Sequence, residues 1–293
     1  KTKYILISSF DVTYNAIAVA EFVESINKLG GSYMGLAPKI KLSYQRDYIE
    51  SVGLYLDSNF YIGYNGIGQL DLNQYNRPED IFGVSFTSGF LKTEAFANSA
   101  VGLMDPAFFL FYEDIDFCYR ANLLGYRFKS CPTAVCYHKY AYSFRDEATS
   151  FQKKYYYLKL NLLKTAYKNA EKPNLTRIID NELKIQKQNL RDINLKPIAK
   201  HIIRDFKKSI RYLKKQRKNI QFSRQSYDSD IIKYCWGGYG YFDIVKNEPI
   251  CSILNLHNSY RRLFVLVGSR KYEEYVNYLI NLEIPDLKLK LKS

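Results

Sequence analysis

The stretch FFLFYEDIDFCYRANLLGYRFKSCPTAVCYH, Phe108 to His138, decides how this chain is read. An aromatic run, Phe108 to Tyr112, leads into three acids, Glu113, Asp114 and Asp116. Phe117, Ala121 and Leu124 then recur at helical spacing, and Gly125 stands where a C-terminal cap is expected. Two short strand-like runs follow, around Tyr126–Lys129 and Ala134–Tyr137, separated by Pro132. His138 closes the stretch. Acids in the first turn of a helix sit where the macrodipole favours negative charge. The pattern places a carboxylate cluster at the mouth of a helix, with a histidine returning on a strand nearby.

Working outward, the 293 residues suffice for one ordinary domain with an extension, or for two small domains. With 47% hydrophobic residues the chain can bury a core. No apolar run is long enough to span a bilayer, and no signal-peptide core is visible. The five cysteines (Cys118, Cys131, Cys136, Cys235, Cys251) lack C-x-x-C spacing. They point to buried, reduced thiols in a cytoplasmic setting, not to a disulfide framework or a zinc site.

The chain opens in a strand, Tyr4–Ile7, followed by Ser8-Ser9-Phe10-Asp11. A helix is predicted over Asn15–Leu29, ended by Gly30-Gly31, and a second strand over Met34–Ile40. This is an α/β unit with an acid directly after a strand. Residues 43–82 read as a long irregular loop region, rich in Gly, Tyr and Asn, of the kind that is more often functional than accidental. Ile81–Phe86 reads as a strand, Thr87-Ser88-Gly89 as a tight small-residue turn, and Leu91–Ala100 as a short helix.

Beyond Tyr142 the character changes. Helices are predicted over Ala148–Ala170, from Asn174 to about Leu190, and from Ile198 to about Ile220. Residues 151–220 hold 20 Lys and Arg against 5 Asp and Glu, a surplus of 15, so the rest of the chain is close to neutral. Such a block points to an acidic partner surface. In the third helix Ile202, Phe206, Ile210 and Leu213 form one stripe with Lys and Arg over most of the rest. That is the pattern of a helix lying on a membrane surface, and equally of a peripheral helix packed on its own domain. The tail from about 228 onward is aromatic-rich, with a strand expected over Leu263–Val267 and a helix over Tyr272–Leu282.

Three acids within four residues repel one another unless a cation, a proton or a base relieves them. Arg120, four residues after Asp116, can absorb one of them in an ion pair. Glu113 and Asp114 are then left to face a site, where a carboxylate can accept a proton from a hydroxyl. Asp11 is either a turn residue or a ligand-binding group at a strand end. His138 is either a structural histidine or a metal ligand.

The run GLMDPAFFLFYEDIDFCYRANLLGYR (102–127), followed by PTAVCYH (132–138), resembles the acceptor-side signature of family-two inverting glycosyltransferases of the GT-A fold, in the rhamnosyltransferase-like branch. Ala37–Ile40, Ser51–Asp57, Gly63–Gly68, Asp71, Gln74-Tyr75, Phe82–Ser85, Ser88-Gly89 and Glu94–Phe96 fall in the same order as in that family. The resemblance covers roughly residues 3–165. It implies an α/β fold with a partial, Rossmann-like GT-A domain over 1–145; beyond it the residues read as a basic and mostly helical C-terminal extension over 146–225 and an aromatic-rich region of unassigned fold over 226–293.

The resemblance also implies roles. Asp114 matches the general base that deprotonates the acceptor hydroxyl, with Glu113 and Asp116 orienting it or holding the acceptor. Asp11 matches the last acid of the D-x-D element that binds Mg²⁺ or Mn²⁺ and the donor diphosphate. His138 matches a position that supplies a further metal ligand, and Ser88 and Gly89 match a small-residue turn where donor and acceptor approach the backbone. The implied activity is transfer from a nucleotide-sugar to a glycan or lipid-linked acceptor in cell-surface polysaccharide synthesis, at the inner face of the plasma membrane, with residues 151–220 against the bilayer. Two departures stand out. Ser9 replaces the first acid of D-x-D, and the family's nucleotide-binding half is not found ahead of Lys1. The chain alone is therefore expected not to bind a nucleotide-sugar at useful affinity. A non-catalytic glycan- or membrane-binding module is the competing reading. Nucleic acid is not expected as a partner, because no recognised binding motif accompanies the charge.

Overall fold

The fold was analysed in a computed structural model that describes residues 2–56, 59–67, 69, 71, 73, 75–98, 101–139 and 147–232. Cys235, Cys251 and the strand and helix expected in the tail lie outside the described residues. The chain is mixed α/β with a mixed sheet. Strands β1 (Tyr4–Ser8), β2 (Val12–Tyr14), β3 (Tyr33–Leu42), β8 (Ser88–Lys92) and β9 (Arg127–His138) lie in the order β1-β8-β3-β9-β2. β4 (Ile49–Ser51) adds to β3 and β7 (Asp80–Ile81) to β9, while β5 (Leu54–Leu56) and β6 (Ile62–Tyr64) form a separate hairpin. β3 and β9 are parallel, and β8 runs antiparallel to both β1 and β3.

Helix α1 (Ala18–Asn27) covers one face of the sheet, packing Phe22 and Ile26 on Leu36, Phe90, Cys131 and Ala134. Helix α3 (Glu113–Leu123) covers the other, with Phe117 and Cys118 in one core with Met34, Phe82 and Phe128. α3 ends as its sequence predicts. Gly125 takes φ +82°, Tyr126 N donates to Ala121 O at 3.1 Å and Gly125 N to Asn122 O at 3.0 Å, the paired bonds of a Schellman cap.

Five expectations change. Pro132 does not split two strands. β9 is continuous because its register against β3 jumps from Pro38–Cys131 to Lys39–Val135, and the slack residues absorb a proline that cannot donate to the ladder. The irregular stretch 43–82 contains four short strands. Of the strand expected over Ile81–Phe86, only Ile81 belongs to a strand, β7. Ser88 and Gly89 open β8 rather than forming a turn, because they pair with Ser8 and Ile7 of β1. The helix expected from Leu91 shrinks to α2 (Glu94–Ala97) for the same reason.

Helices α4 (Glu147–Asn169), α5 (Lys172–Asn189) and α6 (Lys196–Ser223) follow, then the short α7 (Asp228–Ile232). The apolar residues of α4 serve two neighbours. Leu158, Leu162 and Ala166 join the core beneath α3, while Leu160 and Leu163 pack on Ile198, Ile202, Phe206 and Leu213 of α6. The apolar stripe of α6 is therefore buried against its own domain. No described helix is long and apolar enough to cross a membrane.

Candidate active site

The parallel strands β1, β3 and β9 end on one edge, at Ser8, Leu42 and His138. The carboxyl ends of parallel strands are where α/β sheets gather ligand groups. Asp11 stands in the turn after β1, and Lys139 N reaches its backbone oxygen at 3.2 Å. The Asp11 Oδ1 atom lies 3.4 Å from His138 Nε2, so the pair singled out from the sequence is brought together.

A third residue, Glu50 on β4, completes the arrangement. Its Oε2 is 2.8 Å from His138 Nδ1 and it is almost fully buried. Burial alone would push the imidazole down, but Glu50 and Asp11 outweigh it and raise its pKa. Burial pushes the Glu50 carboxyl up, against the pull of His138. Glu50 was not singled out in the sequence. Its one signal is an acid inside a short strand beside Ile49, and nothing in its spacing points to His138.

Asp11 and His138 are the side chains here that could hold a divalent cation. Asp11 Oδ1 and His138 Nε2 converge, while Glu50 occupies the opposite ring nitrogen and fixes the tautomer and orientation of the ring, as carboxylates behind metal-bound histidines do. Among the described residues no three ligating side chains share a common point. The ion would then draw its remaining ligands from substrate oxygens and water. Glu50→Gln is expected to weaken Mn²⁺ binding by about 10- to 100-fold. Titration of the purified protein followed by electron paramagnetic resonance of free Mn²⁺ measures this, and unchanged affinity would remove Glu50 from the site.

Asp114 lies in the first turn of α3. Its Oδ1 accepts from Ile115 N at 2.8 Å and its Oδ2 from Phe86 N at 3.3 Å. The Phe86–Thr87 turn ahead of β8 also receives Ser9 N, at Thr87 O and 2.9 Å. One turn thus ties Asp114 to the segment that carries Asp11. Burial, and then the charge of Glu113, push the Asp114 carboxyl up to about 8. Burial also raises Glu113, whose Oε2 finds no hydrogen-bond partner.

Asp116 has the structural fate its spacing predicts. Arg120 Nε donates to it at 3.0 Å, and Lys168 Nζ and Asn169 Nδ2 each donate at 2.9 Å. Burial would push this carboxyl up, but Lys168 and Arg120 outweigh it and hold it below the usual carboxylate range. Asp116 is thus fully buried within an ion cluster. Ser88 is likewise fully buried, its Oγ 2.9 Å from Tyr14 Oη. A Cβ on Gly89 would stand 3.0 Å from Val84 and 3.1 Å from the Ser85 carbonyl. Both are packed into β8.

The segment delivering Asp114 is held under strain. Phe111 and Tyr112 take φ values of +62° and +69°, a left-handed conformation costly for aromatic residues and typical of functional sites when enforced by surroundings. The enforcement comes from α4. Asn161 Nδ2 donates to Leu110 O at 2.8 Å and Phe111 O at 2.9 Å, and Lys164 Nζ to Ala107 O at 2.8 Å. Lys168 also binds Asp105. Asn161, Thr165 and Asn169, spaced by four, make a fully buried polar stripe on this helix. The chain matches no protein-family model and no curated protein.

Proposed function

We propose that the chain carries the acceptor side of an inverting glycosyltransferase of the GT-A type. The observation that carries this reading is the state of Asp114: a buried carboxyl raised to about 8, presented on a strained turn beside Glu113 and linked through Phe86–Ser88 to Asp11 and His138. Ionised Asp114 takes the proton of the acceptor hydroxyl as that oxygen bonds to the anomeric carbon and the bond from that carbon to the donor diphosphate breaks. A single displacement inverts the configuration. Glu113, with one carboxylate oxygen unsatisfied, is placed to hold a second acceptor hydroxyl. A Mg²⁺ or Mn²⁺ ion on Asp11 and His138 would supply electrostatic stabilisation of the departing diphosphate. The donor is a nucleotide-sugar and the acceptor a glycan or lipid-linked saccharide.

The test is transfer by the full natural polypeptide that contains these residues, with labelled nucleotide-sugars and the anomeric configuration of the product read by NMR. Retention of configuration overturns the reading. A binding module without turnover is favoured by one feature, Ser9 in place of an acid two residues before Asp11, and predicts tight glycan binding with no product.

A further inference from the structure

We infer that the exposed face of α6 is a docking ridge for an anionic lipid surface. On a helix turning by about 100° per residue, Lys196, Lys200, Lys207, Arg211, Lys214 and Lys218 all fall within an arc of about 60°. All six are exposed, and no acid shares the arc. Lys196 to Lys218 spans about 33 Å at 1.5 Å per residue. The helix has one acid, Asp205, on its flank and already bonded to Arg204 and Tyr156. At its N-terminal end the ridge meets a shallow concavity of about 550 Å³ lined by Lys196, Pro197, Lys200, His201 and Arg204, wide enough to seat a phosphate headgroup.

The ends of the ridge decide between lipid and other polyanions. Ile193, just ahead of the helix, is 85% exposed, and Phe222, about 20° outside the cationic arc, is 93% exposed. Phe222 and Lys218 line one cleft with Leu103 and Met104, and Leu103 is 70% exposed. Apolar side chains beside cations gain nothing from a phosphodiester backbone, which offers them no apolar surface. Against a bilayer they enter the headgroup boundary while the lysines meet anionic lipid. The apolar stripe of α6 is buried on α4, so the contact is electrostatic with apolar anchors at both ends, not insertion of an amphipathic helix. This inference is independent of the transferase reading, since an inactive protein would bind in the same way.

The test is flotation with vesicles of phosphatidylcholine containing about one third phosphatidylglycerol, at physiological salt. The parent protein is expected to float with these vesicles and not with pure phosphatidylcholine. Reversing Lys207, Arg211, Lys214 and Lys218 to glutamate is expected to lower the partition at least about 100-fold. Reversing Lys172, Lys184, Lys187 and Arg191, an equal charge change on α5 and the turn after it, should leave it within about fivefold. Circular dichroism establishes that both variants keep their helices. Leu103→Ser with Phe222→Ser should cost about tenfold. Equal losses from the two charge reversals would mean that net charge and not the ridge binds. Retention on a DNA duplex or heparin as strong as on the vesicles would overturn the lipid assignment.

Discussion

Asp114→Asn is expected to abolish transfer by about 10³-fold while making the protein more stable at neutral and alkaline pH. The two effects share one cause. In the folded protein the Asp114 carboxyl is raised to about 8 by burial and by Glu113, whereas in the unfolded chain it ionises near the ordinary value of about 4. The folded state thus holds a proton that the unfolded state has lost. Its contribution to stability is complete below about pH 4 and is lost progressively as pH rises to about 8. The amide cannot ionise and escapes this loss, and it keeps an oxygen for Ile115 N. A gain on the order of 5 kcal/mol at pH 8 over the parent, shrinking to almost nothing near pH 4, is expected from thermal unfolding. The parent's rate should climb about tenfold per pH unit below pH 8 and level off above it, since only the ionised carboxylate accepts a proton. Wild-type turnover in the asparagine variant would remove Asp114 from the chemistry, and a pH-independent stability difference would contradict its buried, raised state.

Lys168→Met should be the most damaging single change to the fold. Lys168 is buried and bonds two carboxylates, Asp105 and Asp116, the second of which has no exposure at all. Methionine fills the volume but leaves Asp116 dependent on Arg120 and Asn169, and Asp105 on Tyr212 and the Ala107 amide. Removing one partner from a buried ionic cluster costs about 3–5 kcal/mol, because the remaining charge has no water to return to. For a protein of this size that lowers the melting temperature by roughly 8–15 °C. A drop below 2 °C would mean that the acids are hydrated or protonated and that the cluster is not a structural anchor. The contrast with Asp114 is the useful part: one acid of the triplet should trade stability for function, and its neighbour two residues on should do the reverse.

Much of this was legible in the sequence where the contacts are local. Helix α3, its glycine cap and the Asp116–Arg120 pair follow from spacing within a dozen residues. The meeting of Asp11 with His138 followed from a resemblance, not from periodicity. Glu50, Lys168, Asn161 and Asn169 were missed because their partners lie 88, 52, 50 and 53 residues away, and no local pattern encodes such pairings. One signal was available, the repeat of Asn161, Thr165 and Asn169 at helical spacing inside an otherwise apolar face. Ser88 and Gly89 misled because small residues suit a turn, while here they permit close strand packing.

Helix α4 has a consequence for how the molecule comes apart. It contributes side chains to the core beneath the sheet, to the seam with α6 and to the strained turn before Asp114. One rigid helix thus carries all three sets of contacts. The sheet and the helices should therefore melt as one cooperative unit, and a piece ending at residue 145 should fail to hold the Asp105–Asp116 segment. Local opening at the turn is open to the chain only at close to the full cost of unfolding, which gives a strained loop the rigidity of a core element.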